Sequence, residues 1–148
     1  MNKILSRPFL TTMFITQNNH HRFSVLGHTI SVAYHCLINK QFKMIPAAIL
    51  HDIGKPLVAF QDDEDKETGQ FSFPFHEEIS YAVIKKMPFI SDYTKRLVRH
   101  HFLLRGMDID ERKGRANRFR MRKRRFEKLD KAFIEDLKIF QIMDDKAK

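Results

Sequence analysis

The chain has 148 residues, 43% of them apolar and 30% charged, with 14 Phe against 5 Gly and 5 Pro; this excludes a disordered chain and suits one hydrophobic core, expected as a single domain over 1–148. A formal net charge of +9 favours anionic partners such as nucleotides, RNA ends or phosphate-rich surfaces, without choosing among them. The lone Cys36 excludes an internal disulfide and reads as a buried thiol in a reducing compartment, with the cytoplasm as the expected location.

The N-terminal segment carries Pro8 and no apolar run long enough for a signal-peptide core or a membrane span, so no membrane association is expected. Helical periodicity dominates beyond it, and no alternating run bounded by turn signals suggests a strand; the expected fold class is all-α. A first long helix is expected over 24–38, with Val25, Ile30, Ala33 and Leu37 in its apolar stripe. A second begins near Met44, where Pro46 suits a first helical turn, and stops at Gly54, with Pro56 barring continuation. The stretch 61–69 is acidic, turn-rich and without an apolar face, and reads as a mobile surface loop. Helices over 76–86 and 91–104 follow, the latter with Ser91 as N-cap and Asp92 where the helix dipole favours it. The run 112–128 holds ten Lys or Arg and can form a helix after Gly114. A last helix over 130–145 turns Phe133, Leu137, Phe140 and Ile142 toward a core, and no internal repeat is found.

The chemistry centres on His51 and Asp52, adjacent at the end of the apolar run Ala47-Ala48-Ile49-Leu50. Burying an imidazole and a carboxylate there is costly unless the charge is compensated, and a divalent cation would compensate it. Imidazole nitrogen and carboxylate oxygen suit borderline or hard ions, and no thiolate set is present. The plain alternative is a hydrogen-bonded helix cap, and these two residues alone leave both readings open. Further ligands must come from other helices: His28 on the first and Asp144 on the last are suited to face inward in an antiparallel bundle.

The order His28, His51-Asp52, Asp144 resembles the H…HD…D signature of the HD phosphohydrolase superfamily, and Ala-Ala-Ile-Leu-His-Asp-Ile-Gly-Lys-Pro is close to its central motif. Gln17-Asn18 ahead of His21 and His28, Phe75-His76-Glu77-Glu78-Ile79-Ser80, Leu97-Val98-Arg99-His100-His101, Arg124-Arg125-Phe126, and Phe133-Ile134-Glu135-Asp136-Leu137 before Asp144 together resemble the HD domain of bacterial tRNA nucleotidyltransferases, over about residues 12–148. The resemblance implies an HD-domain helical bundle of about five to seven helices and one or two divalent ions drawn from Mn, Ni, Co, Mg, Zn or Fe. It implies His28, His51, Asp52 and Asp144 as metal ligands. His76 and His101 match histidines that bind a second metal or contact phosphate, and Lys55 matches a lysine used against substrate phosphate. Asp52, Lys55, His76 and His101 are thus the candidate catalytic residues. Asp145 rivals Asp144, which is preferred because the family's Asp falls three residues before an Ala, here Ala147.

Two departures matter. Where the family commonly has Asp shortly before the first ligand, this chain has Ser24, so a carboxylate that supports the site or touches substrate is expected to be missing. No Gly-Ser followed by an Asp-x-Asp pair precedes the HD region, so nucleotide addition to tRNA is not expected of this polypeptide alone.

Of the other histidines, His35 is expected to be a satisfied core residue, His101 rather than His100 to face the pocket, and His20 and His21 to line its entrance. Lys55, with Arg99 or Arg105, is expected to meet phosphoryl oxygens. Arg112, Lys113, Arg115, Arg118, Arg120, Arg122, Lys123, Arg124 and Arg125 form a candidate RNA-backbone surface, against the reading of a solvated helix face. Phe119 and Phe126 read as core anchors rather than stacking platforms. The expected function is metal-dependent hydrolysis of a nucleotide or RNA-terminal phosphoester, of the 2′,3′-cyclic phosphodiesterase or phosphatase type. A nucleoside monophosphate phosphatase is the enzymatic alternative, and an RNA-binding module with a structural metal is the non-catalytic one.

Overall fold

Short polar side chains start the main helices where their backbone N–H groups need partners. The computed structural model describes residues 7–15, 17 and 23–148. Ser24 accepts from the Gly27 amide at the head of α2 (Val25–Ile38), Ser91 from Thr94 at the head of α7 (Asp92–His100), and Asp130 from Phe133 at the head of α10 (Lys131–Lys146). The other helices are α1 (Arg7–Met13), α3 (Ile45–Leu50), α4 (Lys55–Val58), α5 (Asp63–Thr68), α6 (His76–Ile84), α8 (Leu103–Arg112) and α9 (Ala116–Phe126). The fold is all-α as expected: the described residues hold six helices of nine residues or more and no strand beyond one isolated bridge, Phe60 to Ser72. No described helix is long and apolar enough to cross a membrane.

Three expected boundaries change. The stretch read as a loop contains α5, started by a capping box in which Asp62 and Asp65 satisfy each other's backbone N–H and ended by Gly69 in the left-handed conformation. The antiparallel Phe60–Ser72 bridge then closes the segment that holds α5. The helix expected over 91–104 breaks at His101, and α8 starts at Leu103.

Gly54 is not a left-handed stop. Its backbone is right-handed, with α4 following at once, and a Cβ there would lie 2.5 Å from the Ser80 amide nitrogen and 2.8 Å from the His76 carbonyl. The glycine is needed because α6 passes against the backbone at this point, where the Gly54 amide donates to Ser80 Oγ at 2.9 Å.

The core is built from Val32 and Cys36 of α2, Met44, Ala47 and Ala48 around α3, Ile84, Leu97 and Val98 of α6 and α7, and Phe133, Leu137, Phe140 and Met143 of α10. Burial drives the Cys36 thiol up to about 11, which keeps it protonated and inert. Two apolar stripes are rotated from expectation. In α2 the buried positions are Val25, His28, Thr29, Val32 and Cys36, while Ile30 and Leu37 are exposed; in α10 Met143 turns inward and Ile142 outward. Packing places His28 and Asp144 inside, and the stripe follows from that constraint.

Candidate metal centre

Six helices contribute to one buried cluster. His28 comes from the first turn of α2, His51 closes α3 with Asp52 in the turn after it, His76 opens α6, His101 closes α7, and Asp144 lies in the last turn of α10; all six side chains are buried. Arg105 of α8 joins them at the edge. The structure therefore brings together His28, His51, Asp52, Asp144, His76 and His101, the whole candidate ligand set.

The histidines are oriented by backbone carbonyls. His51 Nδ1–H donates to Ala48 O at 2.7 Å, His101 Nδ1–H to Val98 O at 2.7 Å, and His76 Nδ1–H to Phe73 O at 3.0 Å. His28 Nδ1–H reaches the Ala147 carbonyl at the end of α10, 3.2 Å away. Ala48, Val98 and Ala147 stand at helix ends, where carbonyls lack an intrahelical partner, so each imidazole settles a backbone requirement while fixing its own tautomer. A carbonyl can only accept, so Nδ1 carries the proton and the Nε2 lone pair faces the cluster.

Those lone pairs converge on acceptors. His28 Nε2 lies 2.8 Å from Asp144 Oδ1, and His76 Nε2 lies 3.2 Å from His101 Nε2. Asp52 sits between the two pairs: Oδ2 is 3.2 Å from His51 and 3.7 Å from His28, and Oδ1 is 3.6 Å from His76 and 3.8 Å from His101. Both Asp52 oxygens and His51 Nε2 lack a hydrogen-bond partner, although the Lys55 ammonium is 2.6 Å from Oδ2. Lone pair against lone pair at these separations is repulsive unless a proton or a cation lies between them. Two ligand groups follow, His28–His51–Asp144 and Asp52–His76–His101, each with donor atoms within 4.8 Å of one another. Ions bound at about 2.0–2.2 Å from nitrogen and oxygen fit that spacing, and the donor set suits a divalent ion.

Electrostatics agree with the geometry at Asp52, Asp144, His76 and His101. Burial would raise the Asp52 carboxyl, but His51 and Lys55 outweigh it and hold it well below the usual carboxylate range. Asp144 is likewise held down against burial by His28, His51 and Arg105. Burial lowers His76 and His101 and so keeps them neutral, with neighbouring histidines adding to the effect at His101. At His51 burial also pulls down, but Asp52 overrides it and the pKa rises. Phe140 packs edge-on beneath His51 and His101, with ring centroids 5.7 and 6.5 Å away, giving the cluster an apolar floor.

A cleft of about 200 Å³ opens onto the cluster between Phe71–Phe73 and Phe102. Lys55 lines it, its ammonium held by Asp52 and by Gln17 Oε1. Arg105 lines it too, bonded to Asp144 at 2.6 Å and Asp145 at 2.7 Å. Arg99 does not: it pairs with Glu78 at 3.4 Å and lies over the Tyr81 ring.

The adjacent candidates separate. Asp145 is outside the cluster, tied to Arg105 and Lys148, and His100 packs on Phe133 among Arg96, Arg99 and Arg125. His35 is half-buried with Nδ1 lacking a partner, so it is not the satisfied core histidine expected. Asn18, His20 and His21 lie outside the described residues. Gln17 was given no role by its sequence, yet it is buried in the cleft with its amide nitrogen unpartnered; its place in the Gln17-Asn18 motif was the available signal.

The candidate RNA surface divides. Arg122 is turned inward onto Asp110 at 2.8 Å, Arg125 binds Glu78 at 2.7 Å and Arg112 binds Asp108 at 2.7 Å. Arg115 is 3.9 Å from Asp110. Lys113, Arg118, Arg120, Lys123 and Arg124 are exposed, without a carboxylate partner among the described residues. Phe119 and Phe126 are half-buried and outside the core cluster.

Comparisons with curated proteins and with solved structures find no match. Residues 25–147, which include the whole buried ligand set, match the family model of the HD domain. A chain that carries this match over most of its length, and gathers its His and Asp residues around one centre, belongs to the HD domain family.

Proposed function

We propose that this protein is a metal-dependent phosphohydrolase whose substrate is a nucleotide or RNA-terminal phosphoester, of the 2′,3′-cyclic phosphodiesterase or phosphatase type. The observation that carries the reading is the set of four histidines with Nδ1 committed to carbonyls and Nε2 aimed at each other and at Asp52 and Asp144. Such a constellation is poor as a structural hydrogen-bond network, because acceptors meet acceptors, and good as a divalent-ion site. His28, His51, Asp52 and Asp144 would hold such an ion, and His76 and His101 with Asp52 would hold a second if one binds.

When bound, a divalent ion supplies Lewis acidity to the phosphoryl group and acidifies water at neutral pH. The residues around it supply the rest. Lys55 and Arg105 sit at the cleft with their charges toward Asp52 and Asp144, from where they can meet phosphoryl oxygens as charge develops. Phe71, Phe73 and Phe102 narrow the approach and limit water access. The resemblance of the five motifs to HD domains of tRNA nucleotidyltransferases, together with the net charge of +9, supports an RNA end or nucleotide over an uncharged substrate.

The test is elemental analysis of the purified protein coupled to a phosphoester panel under Mn, Ni, Co, Mg, Zn and Fe ions. Bound divalent metal and ring-opening of 2′,3′-cyclic nucleotides to nucleoside monophosphates are expected, both lost in the His51→Ala/Asp52→Ala protein. Preference for deoxynucleoside monophosphates would move the assignment to a nucleotide phosphatase. Metal content and turnover unchanged in the double variant would end the proposal, and bound metal with RNA affinity but no turnover on any ester would leave the non-catalytic module.

A further inference from the structure

The metal centre occupies one of two adjoining chambers. A second cleft of about 540 Å³ opens beside it, and Ser72, Phe73, His76 and Phe102 line both. A ligand in the second chamber would therefore abut the same His76 that faces Asp52.

Two features of its wall point to a ligand. Phe60 and Phe75 leave 57% and 59% of their surface exposed there, and an exposed aromatic ring forgoes much of the stabilisation its burial would bring. Phe75 also holds a left-handed backbone, φ 56°, a strained choice for a bulky residue. The strain sets this ring on the cleft immediately before His76.

The second feature is electrostatic. The wall carries three carboxylates and three arginines, so bulk charge does not decide the matter. Pairing does. Asp110 accepts from Arg122 at 2.8 Å, Glu77 lies 4.0 Å from the same guanidinium, and Asp62 caps α5. Asp110 and Glu77 are buried, whereas Arg118 is exposed and has no carboxylate partner among the described residues. Arg115, also exposed, keeps only a 3.9 Å approach to Asp110. Exposed rings beside a guanidinium free to fork onto an anion are the parts that bind a planar base and a phosphate.

We propose that this second cleft binds a nucleoside phosphorylated at both ends, with one phosphoester presented to the His/Asp cluster, the base against Phe60 and Phe75, and the second phosphate on Arg118 with help from Arg115. The assignment of the first phosphate rests on the phosphohydrolase reading; the base and second-phosphate contacts do not. A free nucleoside bisphosphate and the last nucleotide of a strand share this chemistry.

Calorimetric titration of the metal-loaded protein with adenosine 3′-monophosphate, adenosine 3′,5′-bisphosphate and a dinucleotide ending in a 3′-phosphate tests it. The bisphosphate is expected to bind about ten-fold tighter than the monophosphate, the worth of one charge-assisted contact. Arg118→Ala should erase that advantage, while Phe75→Leu and Phe60→Leu should weaken all three ligands; thermal unfolding checks that each variant is folded. A dinucleotide that shares the advantage identifies a strand end, and one that does not identifies a free nucleotide. Equal wild-type affinity for mono- and bisphosphate, or an advantage that survives Arg118→Ala, overturns the inference. Hydrolysis of bis(p-nitrophenyl) phosphate, which has no base, is read alongside: its absence under every divalent ion counts against the phosphohydrolase alone, because the binding advantage does not depend on turnover.

Discussion

The His/Asp cluster and the α8–α9 hairpin are both dense in ionisable groups, and they resolve that density in opposite ways. In the cluster every histidine spends its one N–H on a carbonyl, so the buried interior is left with lone pairs and carboxylates and too few donors. In the hairpin the cations find carboxylates of the fold, Arg122 on Asp110, Arg125 on Glu78 and Arg112 on Asp108, and the remainder face solvent. Burial converts a charge cluster into a demand for a ligand, whereas exposure lets water and neighbours satisfy it.

The comparison breaks most sharply at Asp52. His51→Ala combined with Asp52→Ala should lower phosphoester turnover by about a thousand-fold or more, since the ion's Lewis acidity is worth several kcal/mol, with metal content falling in parallel by elemental analysis. Next is Arg122→Ala. It leaves the buried Asp110 carboxylate with only the 3.9 Å approach of Arg115 and removes the guanidinium's contact with the Phe102 ring, and breaking such a buried pair costs about 3–5 kcal/mol in urea unfolding. A loss no larger than that of Lys123→Ala, expected within about 0.5 kcal/mol, would mean that α9 is held by its solvated face after all.

Gly54→Ala should be destabilising by about 1–3 kcal/mol through the clash with the α6 backbone, and should reduce metal affinity because Asp52 lies in the same turn. Smallest is the pH effect at His100. Burial, with Arg125, Arg99 and Arg96, pushes its pKa down to about 4. The unfolded chain takes up this proton near its ordinary value of about 6.5 and the native chain does not, so the histidine's contribution to stability is full above that value. It falls as pH drops toward about 4 and is level below. NMR titration of His100 should show it neutral at pH 5.5, and His100→Gln should flatten that part of the stability profile.

Much of the site was legible because a single tight turn holds His51, Asp52 and Lys55, and because short motifs keep their order along the chain. The choices between neighbours, His101 over His100 and Asp144 over Asp145, came right from the resemblance and not from helical periodicity, and only the fold gives their reason. His101 faces the cluster and His100 does not because α7 breaks at His101, whose ring donates to Val98 O; the sequence reads as one uninterrupted helix there. Arg105 joins the cleft and Arg99 does not, although both precede or follow that break by a few residues, because each belongs to a different helix once the break is made.

By itself the sequence determined an all-α chain with an N-cap at Ser91 and a set of imidazoles and carboxylates able to bind a divalent ion, because capping and ligand chemistry reside in local residue type. The tertiary structure decided the rotation of α2 and α10, the requirement for Gly54, the inward turn of Arg122 and the second cleft with Phe75 and Arg118. These depend on which surfaces meet across the fold, and contacts between residues far apart in the chain leave no periodicity to read.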